Sequence, residues 1–296
     1  MLEELSLYGK VYENYDLVNN NTYRVNSICK YFILPSSISD LQNLMKYLKE
    51  NEQKYFIIGN GSNVILDSDL EEYIVISLSQ LNAIEVHKEY NMIYAESGAM
   101  LPKIATISIE NSLTGLEFAI GIPGTLGGSI YGNAGAYNCQ LLDYVSSVTI
   151  LDENFELVTI DHEEITYGYR TSLFKEKKNL IIVSAKLFLK EGNKEESLKV
   201  INDRKERRIS TQPLEYPSAG SVFRNPVGDA AGRLIEICDL KGYSIGGAEI
   251  SNKHANFIIN KGNATSENVI ELINLVHDTV LEKTGVDLIK EQEYIK

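Results

Sequence analysis

Apolar positions at Leu41, Leu44, Met45 and Leu48 recur at i, i+3, i+4 and i+7, the spacing of one buried helical stripe. Ser39, just ahead of them, reads as the cap of that helix. The run YFIIGNGSNVIL (55–66) is apolar on both sides of a glycine-bearing loop and predicts strand, tight turn, strand. Strand-like runs follow at 73–78, 84–88 and 92–96, then an apolar helix near 100–112 that ends at a glycine-rich stretch. Beyond it the pattern predicts strands near 145–151, 156–160 and 180–189 and a helix over about 195–208.

From about 210 the composition changes, because TQPLEYPSAGSVFRNP holds three of the chain's six prolines. A new domain is expected to start there, with a helix at 229–240 and a strand at 255–260. A further helix runs from Thr265 or Ser266 to Lys283, stopped by Gly285, and a final strand covers 286–295. The class is α+β with mainly short strands.

Glycine is concentrated in one place. GLEFAIGIPGTLGGSIYGNAGAYN (115–138) holds seven of the chain's 21 glycines, and GNGSN (59–63) is a second glycine loop. Glycine admits positive φ and lets main-chain N–H groups approach a ligand, so such loops can form an anion-binding concavity. The first loop lacks the third glycine of a dinucleotide fingerprint and runs into Val64-Ile65-Leu66, a strand rather than a helix, so a plain hairpin turn stays open for it. Together the two loops and NAGAYN favour a large, flat, phosphate-bearing cofactor lying against bare backbone.

Charge narrows the partners. With 28 Lys and Arg against 41 Asp and Glu the formal charge is −13, which argues against nucleic acid. The local exception is DRKERR, where Arg204, Lys205, Arg207 and Arg208 fall within about one helical turn. An anion site and a solvated surface helix both fit that cluster. Cys29, Cys139 and Cys238 are far apart, which argues against a disulfide framework or a zinc site. No apolar stretch reaches the about 18 residues of a membrane helix, and the acidic start MLEELSLYGK lacks an apolar leader core, so the expected location is cytoplasmic, without membrane insertion.

Five ordered motifs, GNGSN (59–63), GLEFAIGIPGTLGGSIYGNAGAY (115–137), YGYRTSLF (167–174), PSAGSVFRNP (217–226) and KHANFIIN (253–260), give the chain a likeness over nearly its whole length. It resembles the UDP-N-acetylenolpyruvoylglucosamine reductase (MurB) family, and the absence of a long insertion after YGYRTSLF is similar to the type II branch. The resemblance implies a two-part FAD-binding domain of the vanillyl-alcohol-oxidase/PCMH type, over 1–75 and 76–209, and a substrate-binding domain over 210–296. It implies non-covalent FAD, held by Gly59, Asn60, Gly61, Ser62, Asn63, Gly121, Gly124, Thr125, Gly127, Gly128 and Ala134.

NADPH would reduce the flavin, and UDP-N-acetylglucosamine enolpyruvate would take the hydride, yielding UDP-N-acetylmuramate. By the same resemblance Ser221 donates the proton, Arg170 and Glu291 polarise the substrate carboxylate, and Arg208, Arg224 and Asn225 serve the diphosphate. For Glu291 the strand period leaves Glu293 on the same face, so a two-residue slip exchanges them. Taken singly, Ser221 also fits a turn hydroxyl and Arg170 a surface ion pair.

Three departures stand out. The resemblance leads to two glycines after NTYRV, where the chain has Asn26 and Ser27, followed by Cys29. One expectation is a rebuilt turn with Asn26 left-handed; the other is different contacts. Asn138 stands where glycine is common, and Gln292 stands where an apolar residue is expected. Two other readings stand beside this one: an oxidase or electron-transfer flavoprotein of the same fold acting on another substrate, with no covalent flavin expected because neither glycine loop holds a histidine, and a nucleotide-sugar or flavin-binding protein without turnover.

Overall fold

The computed structural model describes all residues, Met1–Lys296. The chain forms two compact units, each taking three segments. One comprises Met1–Glu13, Lys30–Gly59 and Glu72–Glu206, the other Asn14–Cys29, Asn60–Glu71 and Arg207–Lys296.

In the first unit a five-stranded antiparallel sheet has the order Leu157–Asp161, Val145–Leu151, Ile181–Phe188, Met92–Glu96 and Ile84–His87. Its inner side chains Val148, Ile150, Ala185, Leu187, Ile93 and Ala95 are buried in one cluster with Leu101, Ile104 and Ala105 of the helix Leu101–Glu110. Leu126 and Ile130, within the glycine-rich stretch, belong to that same cluster, so the stretch is anchored by its apolar residues.

A second sheet has the order Gly9–Asp16, Ile28–Pro35, Asp69–Ser77 and Tyr55–Ile58. Against it packs the helix Ile38–Glu50, whose Leu41, Leu44, Met45 and Leu48 are all fully buried with Ile33, Ile74 and Ile76. Burying each such side chain contributes about 1.5–3 kcal/mol. The cap of this helix is Ser37, not Ser39. Ser37 Oγ accepts from Asp40 N at 3.0 Å, and its extended backbone (φ −149) meets the requirement for a cap, whereas Ser39 already lies inside the helix.

The loop 59–63 is not a hairpin turn. Tyr55–Ile58 pairs in parallel with Asp69–Ser77, and Val64–Leu66 pairs in parallel with Glu293–Ile295, so the flanking strands have different partners.

In the second unit the strands Ser244–Ile245, Ala248–Ile250 and Ile258–Asn260 form an antiparallel sheet, covered by the helix Ser266–Thr284 through Val269, Leu272, Ile273 and Val276. Thr265 caps that helix through Asn268 N, and Gly285 (φ 72) closes it by donating to Leu281 O at 2.9 Å. The helix expected at 229–240 is shorter, Ala231–Ile237.

The final strand is also shorter than expected, spanning only Glu293–Ile295, with one isolated bridge from Lys290 to Phe223 before it. The reason is a change of partner: Ile289 and Glu291 bond to the 222–224 segment, whereas Glu293 N donates to Asn63 O.

Candidate active site

Within the second unit the PSAGSVFRNP segment runs between two others. Val222 N donates to Asn256 O at 2.9 Å on one side, and Val222 O accepts from Glu291 N at 2.8 Å on the other. Arg224 N donates to Ile289 O at 2.9 Å, and Asn260 N donates to Pro217 O at 2.9 Å. The Asn256 side chain adds a clamp, its Oδ1 accepting from Phe223 N at 3.0 Å and its Nδ2 donating to Phe223 O at 2.8 Å. Buried apolar residues Ala219, Val222 and Phe223 seat the segment in the core, while Ser221 stays half-buried.

Gly220, with φ 75, occupies the left-handed region that glycine tolerates, and a Cβ there would meet no atom. The turn ahead of Ser221 is therefore fixed by backbone conformation rather than by crowding.

The fold thus brings Glu291 and the segment that carries Ser221 into adjacent extended stretches, joined by the main-chain hydrogen bond from Glu291 N to Val222 O. It also brings the first glycine loop to them, since Asn63 Nδ2 donates to Glu291 O at 3.2 Å. Gly61, at φ 63, packs so closely on Asn20 O that a Cβ would lie 2.1 Å from it. Its carbonyl accepts from Thr22 N at 3.1 Å. Glu291 and Glu293 are both half-buried, with the buried Gln292 between them.

Asn225 is exposed, and its Oδ1 accepts from Ala231 N at 3.1 Å at the start of the following helix. Arg224 is half-buried, and its Nε has no partner. Arg204 and Arg208 are the half-buried arginines of the helix Lys194–Thr211, while Lys205 and Arg207 are exposed. Arg204 lies over the Tyr137 ring, 4.6 Å from its centroid.

In the first unit the glycine-rich stretch pairs with 97–101: Gly127 N donates to Ser97 O and Leu126 N to Ala99 O, at 2.9 and 2.8 Å. The hairpin carrying Arg170 is sewn to the far end of that stretch. Asn133 Nδ2 donates to Gly168 O at 2.8 Å, Ser172 Oγ to Tyr131 O at 2.7 Å, and the Arg170 guanidinium to Gly135 O at 2.6 Å. Arg170 itself has φ 58, a backbone state that costs a non-glycine residue about 1 kcal/mol or more and persists where surroundings enforce it.

The surroundings fit a phosphate-bearing flat cofactor. A Cβ at Gly59 would come within 2.8 Å of Thr125 Oγ1, whereas at Gly128 and Gly132 the nearest atoms are 3.5 and 3.6 Å away, leaving bare main chain. Ser129 Oγ is buried without a partner, a donor that a bound polar group would satisfy.

The N-terminal departures resolve locally. Asn26 is not left-handed; Arg24 is, at φ 56, and buried Ser27 donates to Asp67 O at 2.5 Å. The residue in the first glycine position therefore stays in ordinary backbone, and the turn is made two residues earlier. Asn138 does take the left-handed state, at φ 59, which asparagine tolerates better than other side chains. Burial pushes the Cys29 thiol up to about 11, so it stays protonated.

Asn256, Asn133, Tyr23 and Gln292 escape sequence reasoning as site residues. Asn256, Asn133 and Gln292 bond main-chain groups distant in sequence and Tyr23 bonds the Gln292 side chain, and no local pattern marks them. KHANFIIN contributes a testable pH effect as well. His254 packs against Phe257 with ring centroids 4.6 Å apart and the rings tilted at 59°, and burial holds its pKa below the ordinary value. The folded ring is neutral, whereas the unfolded ring takes a proton near pH 6.5. The stability it contributes is therefore present above about pH 6.5 and is lost as pH falls through the lowered folded value. Thermal melts from pH 7.5 to 5 are expected to fall more steeply for wild type than for His254→Gln; parallel slopes would contradict this.

Comparison with known proteins identifies the domains. Residues 29–161 match the FAD binding domain model, and residues 212–295 match the C-terminal domain model of UDP-N-acetylenolpyruvoylglucosamine reductase. The fold and site thus define an FAD-containing oxidoreductase with an appended C-terminal domain. The UDP-N-acetylenolpyruvoylglucosamine reductase of Caldanaerobacter subterraneus is 42% identical over 290 residues, 98% of this chain and 95% of that protein. That of Clostridium novyi is 38% identical over 287 residues, 97% of this chain and 92% of the relative. The crystal structure of the reductase (MurB) from Thermus caldophilus superposes with a TM-score of 0.80 at 29% identity, covering 97% of this chain and 98% of that one. The chain belongs to the UDP-N-acetylenolpyruvoylglucosamine reductase family. No helix is long and apolar enough to cross a membrane.

Proposed function

We propose that the protein reduces the enolpyruvyl ether of UDP-N-acetylglucosamine to UDP-N-acetylmuramate with NADPH, a cytoplasmic step in making peptidoglycan precursors and hence in maintaining cell shape and division. The observation that supports the catalytic assignment is the main-chain hydrogen bond from Glu291 N to Val222 O, which brings the Glu291 backbone next to the segment that carries Ser221. In this reading residues 1–75 and 76–209 form the two-part FAD domain and 210–296 the substrate domain.

Gly59, Asn60, Gly61, Ser62, Asn63, Gly121, Gly124, Thr125, Gly127, Gly128 and Ala134 would hold FAD without a covalent bond; the loop 59–63 would offer main-chain N–H groups, whereas Gly124, Gly127, Gly128 and Ala134 donate theirs within the protein. When bound, FAD supplies the hydride, taken from NADPH.

Hydride addition at the methylene carbon of the substrate leaves negative charge on the neighbouring carbon and its carboxylate. Arg170 suits that charge, because a guanidinium grips a carboxylate with two parallel N–H bonds and stays ionised throughout. Its contact with Gly135 O supports a guanidinium held at the glycine-rich stretch rather than in solvent. Glu291 shares in polarising the carboxylate, and Ser221 Oγ delivers the proton to the carbon. Arg208, Arg224 and Asn225 meet the diphosphate; the buried, unpartnered Nε of Arg224 supports a donor kept for a ligand. Local cations of this kind can hold an anionic substrate despite the net charge of −13.

The test is anaerobic NADPH oxidation by the flavin-loaded protein, with and without UDP-N-acetylglucosamine enolpyruvate. Multiple turnovers are expected only with that substrate. Equal oxidation in its absence would refute the assignment.

A further inference from the structure

Gln292 is the least expected side chain of the terminal segment and is buried to 7% exposure in the second unit. Its amide joins three stretches that are remote in sequence. Oε1 accepts from the hydroxyl of Tyr23 at 2.9 Å. Nε2 donates to Ala219 O at 3.0 Å and to Gly220 O at 3.3 Å, with Ser221 O at 3.5 Å on the edge of reach. Tyr23 is itself fully buried, and its own main-chain carbonyl accepts from Asn260 Nδ2 at 2.9 Å. Burial pushes the Tyr23 phenol pKa well up, so it remains a donor at any working pH.

These contacts converge on the left-handed turn at Gly220. A glycine at φ 75 with open space around its missing Cβ has no steric wall to hold it, so its two flanking carbonyls need an external anchor. Gln292 is that anchor, and it also adjoins Glu291 along the chain. One amide therefore ties the residue before the proton donor to the residue after the carboxylate. A buried amide meeting its partners on both its donor and acceptor sides is costly to break and sets one geometry.

We infer that Gln292 is a positioning residue for the proton-transfer step: by holding Ala219 O and Gly220 O, with Tyr23 fixing its own orientation, it sets the aim of Ser221 Oγ relative to Glu291. The inference rests on the functional reading above and deepens it. It assigns Gln292 no contact with substrate or FAD.

The test separates positioning from stability. Gln292→Met keeps length and volume but loses the donor and the acceptor, leaving the Tyr23 hydroxyl buried without a partner. Tyr23→Phe/Gln292→Met removes that orphan group as well. Rates of flavin reduction by NADPH and of flavin reoxidation by UDP-N-acetylglucosamine enolpyruvate are measured by anaerobic stopped flow, together with Tm and substrate Kd. The expected result is that Gln292→Met lowers Tm and slows reoxidation about tenfold or more, while reduction by NADPH and substrate Kd stay within about twofold.

The double variant is expected to recover Tm without recovering reoxidation, because the two carbonyls still lack their donor. Tyr23→Phe alone, which keeps the amide bonds to those carbonyls, should reoxidise within about threefold of wild type. Should Gln292→Met fail to fold, the double variant carries the measurement. Reoxidation that recovers along with Tm in the double variant, or equal slowing of both half-reactions, would overturn the inference. A wild-type flavin that the substrate does not reoxidise would instead overturn the functional reading, and this inference with it.

Discussion

Ser221→Ala is expected to leave reduction of bound flavin by NADPH at the wild-type rate and to slow its reoxidation by the enolpyruvyl substrate by about 10²–10⁴-fold, the usual contribution of a positioned proton donor. The split follows from the chemistry, because only the second half-reaction places a proton on carbon. It also follows from how the segment is built. Val222 and Arg224 hold it through main-chain bonds to Asn256 O and Ile289 O, and Ser221 Oγ bonds to no other group of the protein. Alanine therefore removes the hydroxyl without breaking any bond that supports the fold. Ser221→Ala should melt within about 0.5 kcal/mol of wild type, as a substitution without a structural partner does. Anaerobic stopped flow at the flavin absorbance, one half-reaction at a time, measures both rates. Equal slowing of the two would remove Ser221 from the proton-donor role.

The parts of this architecture that depend on near neighbours are the ones legible in the sequence. The stripe Leu41, Leu44, Met45 and Leu48 is fully buried as the period requires, and Thr265 and Gly285 bound the last long helix because caps are set by residues next to the helix itself. Even there the period located the stripe better than the end, since Ser37 rather than Ser39 supplies the cap. What the sequence hides is pairing at a distance. Val64–Leu66 looks like the return strand of a hairpin, yet its partner is Glu293–Ile295 at the far end of the chain. Hydrophobic alternation gives the same pattern in either case.

The candidate site divides in the same way. YGYRTSLF and PSAGSVFRNP offer Arg170 and Ser221 as candidates, and a main-chain hydrogen bond from Glu291 N to Val222 O brings the end of the chain to the second motif. Nothing local pointed to the Tyr23–Gln292 bond, which unites residues 269 positions apart. The glutamine looked like a defect in an apolar position; its tyrosine partner explains why it is tolerated. The glycines divide as well. Gly115 makes room for the Tyr144 ring, which a Cβ would approach to 2.6 Å, and Gly135 makes room for Cys139 O at 2.3 Å. Those two serve the protein's own packing rather than access for a ligand.

Gly98→Ala, one residue past Ser97 and outside every motif named in the sequence, is expected to destabilise the first unit strongly. A Cβ at Gly98 would lie 1.8 Å from Leu78 O and 2.8 Å from Leu81 O. Both are backbone atoms of a turn that Gly98 N itself joins by donating to Leu81 O at 2.8 Å, so neither can rotate away. The loss should reach about 3 kcal/mol, the upper end of ordinary overpacking, and lower Tm by about 5–10 °C. Because 97–101 carries the main-chain bonds that hold Leu126 and Gly127, the purified variant should also have lost most of its flavin.

Gly127→Ala provides the control. Its Cβ would meet Ser97 Oγ at 1.9 Å, a clash with a side chain rather than with backbone. Gly127→Ala/Ser97→Gly should therefore regain flavin, measured as the ratio of absorbance at the flavin maximum to protein, whereas no side-chain change at 78 or 81 can rescue Gly98→Ala. A Gly98→Ala protein that purifies with a full flavin complement and an unchanged Tm would mean that the turn against Leu78 does not hold the glycine-rich stretch in place.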